Sequence, residues 1–342
     1  MTSPAVLYTD PAWLITAAGH PDPVLAGIEQ QILTGVDLRF GPHDGNRYLH
    51  DDSALHAAAD GVQVLVVYRC QVTRELLDAA GPGLKAVIRQ GVGVDNLNPA
   101  LLAERRIPAY NIPDYCVGEV SAHTAALALA LERRLIPQHQ GLTGGTFDIY
   151  AGGVPRRLSE HTLGIVGFGR IGRAVARHLG AFYGQTLVFD PNLGADLPAG
   201  YGARAVATLH DLLAASDLVT LHCPLDPSTD GMLDVDAFRH MRAGAYLVNA
   251  ARGSLIDPDA LAGALADGRI GGAALDVFFP ENPHTDPRWK PVLEHPAVLV
   301  TSHRAFLSTE AELSSRRRVA QIARDVLDGR LVTVGRVLPG LR

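Results

Sequence analysis

The chain has 342 residues, of which 47% are hydrophobic and 19% charged, enough apolar material for two packed domains. Its formal net charge is −6 with no basic run, which argues against nucleic acid as a partner. The longest apolar run, 125–131, is far too short to cross a bilayer, so no membrane role is expected.

Residues 1–14 hold acid and proline where a signal peptide needs a basic end and an apolar core. Cys70, Cys116 and Cys223 lack metal-ligand spacing. A reduced, cytoplasmic protein with no metal is the expectation.

From residue 62 onward, short apolar runs alternate with helical patterns, as in parallel sheets covered by helices. The run VQVLVVY (62–68) predicts a buried strand, 73–80 a helix and 84–89 the next strand, followed by the loop Gly91-Val92-Gly93-Val94-Asp95. Apolar spacing predicts a helix over 117–135, with Asp114 able to cap its start and Pro137 just past its end. The glycine-rich stretch 141–155 reads as a loop. Six strands are predicted next, at 163–166, 187–190, 218–221, 245–249, 273–275 and 298–301. Helices are predicted at 170–179, from Asp257-Pro258 to Gly268, and at 309–327 before a short final strand.

Gly167-Phe168-Gly169-Arg170-Ile171-Gly172 is a G-x-G-x-x-G set between a strand and a helix. That placement suits a dinucleotide pyrophosphate: Gly167 permits the tight turn, Gly169 a close backbone approach, and Gly172 close packing of helix on strand. Asp190, at the end of the next strand, can accept from both ribose hydroxyls of NAD and would repel the 2′-phosphate of NADP.

Three further residues follow late strands, where open α/β sheets place ligands. Arg252 offers a planar fork to a carboxylate and a carbonyl oxygen. His303 can exchange a proton with that oxygen. Glu281 behind the ring would favour the imidazolium. Singly, each has a bland reading: a structural arginine, a capping histidine, a solvated loop acid. Together, and in this order, they suit hydride transfer to a 2-oxo acid.

These residues resemble the D-isomer-specific 2-hydroxyacid dehydrogenases over about 62–338. The blocks that carry the resemblance are GVGVDN (91–96), GIVGFGRIGRAVAR (164–177), LHCPLDP (221–227), LVNAARGSLID (247–257), GAALDVF (272–278) and TSHRA (301–305). The resemblance implies two Rossmann- or flavodoxin-like α/β domains with parallel sheets and an interdomain cleft. The substrate domain would be 1–113 plus 310–342, and the NAD-binding domain 114–309.

It also implies a catalytic set of Arg252, Glu281 and His303, with Asp276 on the nicotinamide carboxamide. Thr124, Arg170, Ile171, Asp190, Cys223, Pro224, Thr229 and Ala250 would line NAD beside the three glycines. Tyr68, Arg69, Val92, Gly93, Arg252 and Phe306 would face a small 2-hydroxy or 2-oxo acid. Helix 117–135 would join a homodimer, or be a plain core helix. Phe306 resembles the D-lactate group, whereas Tyr115-Cys116 and His222-Cys223-Pro224 resemble the C-terminal-binding-protein branch, so the acid itself stays open. That branch supplies the alternative reading: an NAD(H)-sensing dimeric interaction protein.

Overall fold

The computed structural model describes residues 3–44, 47–48, 53–193, 197 and 200–337. Residues 1–2 and 338–342, placed above in the substrate domain, lie outside the described set. The chain forms two compact units, Met1–Tyr115 with Ser308–Arg342, and Cys116–Leu307.

The first unit is built on strands β1 (Ala5–Tyr8), β2 (Asp37–Phe40), β3 (Val64–Val67), β4 (Ala86–Arg89) and β5 (Ala109–Asn111). They run parallel in the order β2-β1-β3-β4-β5, and a final strand, Arg336–Val337, pairs antiparallel with β5. This is the flavodoxin-like order. The continuous apolar run of β3 is explained by burial on both faces. Leu65 and Val67 join Leu55, Leu76, Leu77 and Leu102 on one side. Val64 and Val66 join Val319, Ile322 and Ala323 of the last helix, Thr309–Leu327, on the other. Ser308 caps that helix by accepting from the Ala311 N–H at 2.9 Å.

The second unit contains β6 (Thr162–Val166), β7 (Gln185–Phe189), β8 (Ala203–Ala205), β9 (Leu218–Leu221), β10 (Ala245–Asn249), β11 (Ile270–Leu275) and β12 (Val298–Val300). All are parallel, in the order β8-β7-β6-β9-β10-β11-β12, so the chain reverses direction across the sheet between β6 and β9. That is the Rossmann order, with its ligand crevice at the carboxyl ends of the strands flanking the reversal. The period-two pattern again splits the strands between two cores. Leu163, Ile165 and Val248 face Leu127, Leu131, Val175 and Leu179. Val166, Leu247 and Leu275 face Leu212, Phe238, Leu261 and Leu265.

Three local expectations change. The helix predicted over 117–135 is Val117–Glu132 and stops where Arg134 takes a left-handed φ of 56°. Asp114 does not cap it; its carboxylate pairs with Arg318 at 2.8 Å, and Cys116 occupies the cap position. Its apolar residues Leu127, Ala128 and Leu131 pack against Val175, Ala176 and Leu179, filling the core of its own unit. The start of the expected loop 141–155 is helical, because a second helix, Leu135–Thr143, carries Pro137 in its first turn, where a missing N–H is tolerated.

One ion pair crosses the first unit's interior. Arg316, from the last helix, gives Nε and Nη2 to Glu29 at 2.9 and 2.7 Å, and its guanidinium lies 3.9 Å from the Trp13 ring centroid. The Glu29 side chain is fully buried. Glu29→Ala strands the arginine charge in the core and is expected to cost about 3–5 kcal/mol of stability, read from urea unfolding.

Candidate active site

The glycine-rich loop leaves β6 at the point where the strand order reverses. Gly167 has φ 89°, and a Cβ there would lie 2.5 Å from the Cys223 nitrogen; only glycine lets this turn meet the end of β9. A Cβ at Gly172 would sit 2.1 Å from the Gly167 oxygen, so the helix Arg170–Leu179 packs close beneath the loop. Gly169 caps that helix and its side faces open space. Arg170 is exposed and Ile171 packs against the unit's core.

Asp190 follows β7 and reaches back to this loop. Its Oδ2 accepts from the Phe168 N–H at 2.8 Å, and its Oδ1 from Asn192 at 2.9 Å. A free-sided glycine, helix-terminal N–H groups and a carboxylate tied to the same loop fit a dinucleotide.

The other predicted cofactor residues divide. Cys223, Pro224 and Ala250 lie just past β9 and β10, at the same end of the sheet. Thr229 closes the loop after β9, its hydroxyl donating to the Pro224 carbonyl at 2.8 Å. Thr124 is fully buried, and its hydroxyl donates to the Val120 carbonyl of its own helix at 2.8 Å.

The three proposed catalytic residues follow β10, β11 and β12. These strands are neighbours, and Asn249, Leu275 and Val300 are in register at their ends. Buried Asn249 shapes the turn after β10: its amide donates to the Arg252 carbonyl at 2.8 Å and its oxygen accepts from the Ala251 N–H at 3.0 Å. Gly253 lets this turn touch the segment leading to Glu281, since a Cβ there would be 2.1 Å from the Phe278 carbonyl carbon. Glu281 Oε1 lies 2.8 Å from His303 Nδ1. The Phe306 ring stands edge-on to the imidazole, with centroids 6.2 Å apart.

His303 has φ 52°, a left-handed backbone costing on the order of 1–2 kcal/mol outside glycine. Asp276 holds the turn that carries it. The carboxylate is fully buried and accepts from Thr301 Oγ1 at 2.5 Å, the Arg304 N–H at 3.0 Å and the Ala305 N–H at 2.9 Å. The Asp276 carbonyl takes the His303 N–H at 2.6 Å. Asp276 thus ties together the turn beneath the imidazole.

Tyr68, Arg69, Val92 and Gly93 belong to the first unit, after its adjacent strands β3 and β4. Asp10 accepts from the backbone N–H groups of Tyr68, Arg69 and Cys70. Asn96 donates to the Tyr68 and Cys70 carbonyls, joining the two loops. Arg69 and Arg89 each lie 5.3 Å from the Tyr68 ring centroid. Asp10 escaped the sequence reading, although an acid ending the apolar run VLYTD was its signal. Thr301 and His123 escaped it too: Thr301 Oγ1 lies 2.5 Å from Asp276 Oδ1 and 3.1 Å from His123 Nε2, contacts that join separate elements.

Among the described residues, His210, Asp236 and His240 form the one cluster close enough to suggest a metal. The two imidazoles stack in parallel, 3.8 Å apart and 5° between planes. Lone pairs lying in two parallel ring planes cannot converge on one ion.

Burial sets two protonation states near the loop. His222 is pushed down to about 3 by desolvation, so it stays neutral while Thr220 Oγ1 contacts its Nε2 at 2.9 Å. Burial pushes the Cys223 thiol up to about 11, with Asp226 and Asp190 adding to the rise. Below that pH the thiol keeps its proton. At pH 8 its alkylation by iodoacetamide, followed on its peptide by mass spectrometry, is expected to run on the order of a hundredfold slower than that of an open thiol.

Residues 125–305 match the family D-isomer specific 2-hydroxyacid dehydrogenase, NAD binding domain. D-3-phosphoglycerate dehydrogenase from Mycobacterium tuberculosis is 35% identical over 283 residues, covering 82% of this chain and 52% of that protein. The chain therefore spans about half the length of the curated relatives it matches. The D-lactate dehydrogenase of Aquifex aeolicus, solved with NAD and lactic acid, superposes with a TM-score of 0.82 at 26% identity, covering 95% of this chain and 96% of that one. The NAD-dependent formate dehydrogenase of Staphylococcus aureus, solved with NAD, gives 0.83 at 26% identity and 98% of both chains. No described helix is long and apolar enough to cross a membrane. The chain belongs to the D-isomer-specific 2-hydroxyacid dehydrogenases, an NAD-dependent oxidoreductase family, and its second unit is the family's NAD-binding domain.

Proposed function

We propose that the protein interconverts a small 2-hydroxy acid and its 2-oxo acid, with His303 as general acid and base and Arg252 as the substrate anchor. The observation that carries this reading is the Glu281 contact to His303 Nδ1 at 2.8 Å, at the strand ends that also deliver Arg252. With Nδ1 engaged, Nε2 is the ring nitrogen left to meet a substrate oxygen. The bound nicotinamide supplies or accepts the hydride.

The side chains do the rest. The Arg252 fork orients the substrate carboxylate and polarises the C2 carbonyl. His303 delivers a proton to the carbonyl oxygen during reduction and takes it from the hydroxyl during oxidation. Glu281 fixes the ring's tautomer and orientation. Asp190 favours NAD over NADP, because a 2′-phosphate would meet a carboxylate already fixed to the loop. Phe306 packs beside the imidazole.

We further propose that the protein works as a homodimer. Helix Leu135–Thr143 buries none of its residues, and Leu135, Leu142, Phe147, Ile149, Tyr150 and Val154 are each more than half exposed. So dense an apolar stretch needs a cover, and a second copy supplies one of matching chemistry. The double substitution Phe147→Ser and Ile149→Ser is expected to halve the mass read by light scattering.

The activity is tested by NADH absorbance at 340 nm with a panel of 2-oxo acids. His303→Ala is expected to lower the rate by about 10²–10⁴-fold. Arg252→Ala should weaken kcat/KM for the acid while NADH still binds. Tight NADH binding with no oxidation by any acid would instead indicate a nucleotide sensor.

A further inference from the structure

We propose that Thr301, clamped between Asp276 and His123, is a positioning residue that sets the imidazole of His303; its catalytic part rests on reading His303 as the proton donor. Thr301 ends the path out of β12, two residues before His303. Its hydroxyl lies 2.5 Å from Asp276 Oδ1 and 3.1 Å from His123 Nε2. A carboxylate only accepts, so the single hydroxyl proton goes to Asp276. The hydroxyl oxygen must then accept from His123, which fixes the proton of that ring on Nε2. The order of donation is His123 to Thr301 to Asp276.

This chain joins three separate elements. His123 lies on the helix Val117–Glu132, Asp276 follows β11 and Thr301 follows β12. The two backbone N–H groups on Asp276, from Arg304 and Ala305, bracket His303 from its other side. The residue between these anchors is the one with φ 52°. A left-handed histidine persists when its surroundings over-determine it, and here a buried carboxylate grips the turn before and after it. Release of the Thr301 side would let the backbone relax toward negative φ and swing the ring away from Glu281.

Thr301→Val removes the hydroxyl and keeps the shape; Thr301→Ser restores the hydroxyl. The readouts are kcat and KM for the 2-oxo acid, NADH affinity by fluorescence, and the ¹⁵N resonances of His303 in histidine-labelled protein, identified by their loss in His303→Gln. Thr301→Val is expected to lower kcat by about 10²-fold, the scale of a small misplacement of a catalytic group. NADH affinity should stay within about twofold, the His303 Nδ1 resonance should leave its wild-type position, and Thr301→Ser should reverse both changes. His123→Phe, at the partly exposed outer end of the clamp, gives a second variant and should shift the same resonance in the same direction.

An unmoved His303 resonance in Thr301→Val and His123→Phe overturns the proposal, whatever happens to kcat. So does a kcat within twofold of wild type in an active enzyme. A wild type that reduces no 2-oxo acid removes the catalytic reading alone, because the resonance comparison still decides whether the clamp sets the ring.

Discussion

The carboxylate of Asp276 has no access to water, so its lone pairs must be met by the protein. The donors it collects are those of the turn that carries His303. A buried acceptor left unmet would cost about 1–3 kcal/mol or more, comparable to the backbone strain at His303. The two terms are coupled. The left-handed turn is the conformation that points Thr301, Arg304 and Ala305 at one carboxylate, and the carboxylate makes that conformation the favourable one. The contact of His303 with Glu281, and any proton transfer by its ring, depend on this arrangement.

Parallel β-sheets make such a site economical to build. Every strand of the second unit ends at the same edge, so residues far apart in sequence arrive there together. Gly253 is where the backbone of one turn nearly touches another, and any side chain would separate Arg252 from the segment that supplies Glu281. Gly167 has the same part to play on the cofactor side, against the end of β9. The geometry of the site is thus written partly in residues that have no side chain at all.

Much of this was legible beforehand. The glycine loop, Asp190 and the order Arg252, Glu281, His303 could be read because each follows an apolar run in a fixed pattern. The buried strands β3, β6, β9 and β10 stood out because both faces are covered, so their apolar runs are unbroken. Edge strands β2 and β8 did not: Asp37–Phe40 and Ala203–Ala205 are partly exposed and carry mixed residues. The break at Arg134 was hidden because a left-handed arginine has no local signature, unlike glycine. The hydrogen bonds of Asp276 could not be read, because they depend on a turn 25 to 29 residues away. His123 could not be found at all without knowing which helix lies over β10 and β11.

The last helix, Thr309–Leu327, closes one face of a sheet whose strands begin at residue 5. During synthesis the strands of residues 5–111 must therefore wait, with Val64, Val66 and Ile88 uncovered, until the helix Thr309–Leu327 has left the ribosome. The intervening stretch, Cys116–Leu307, has its own complete cores and need not wait. Assembly would proceed from the middle outward, and the nascent N-terminal strands are the part most in need of a chaperone's shelter.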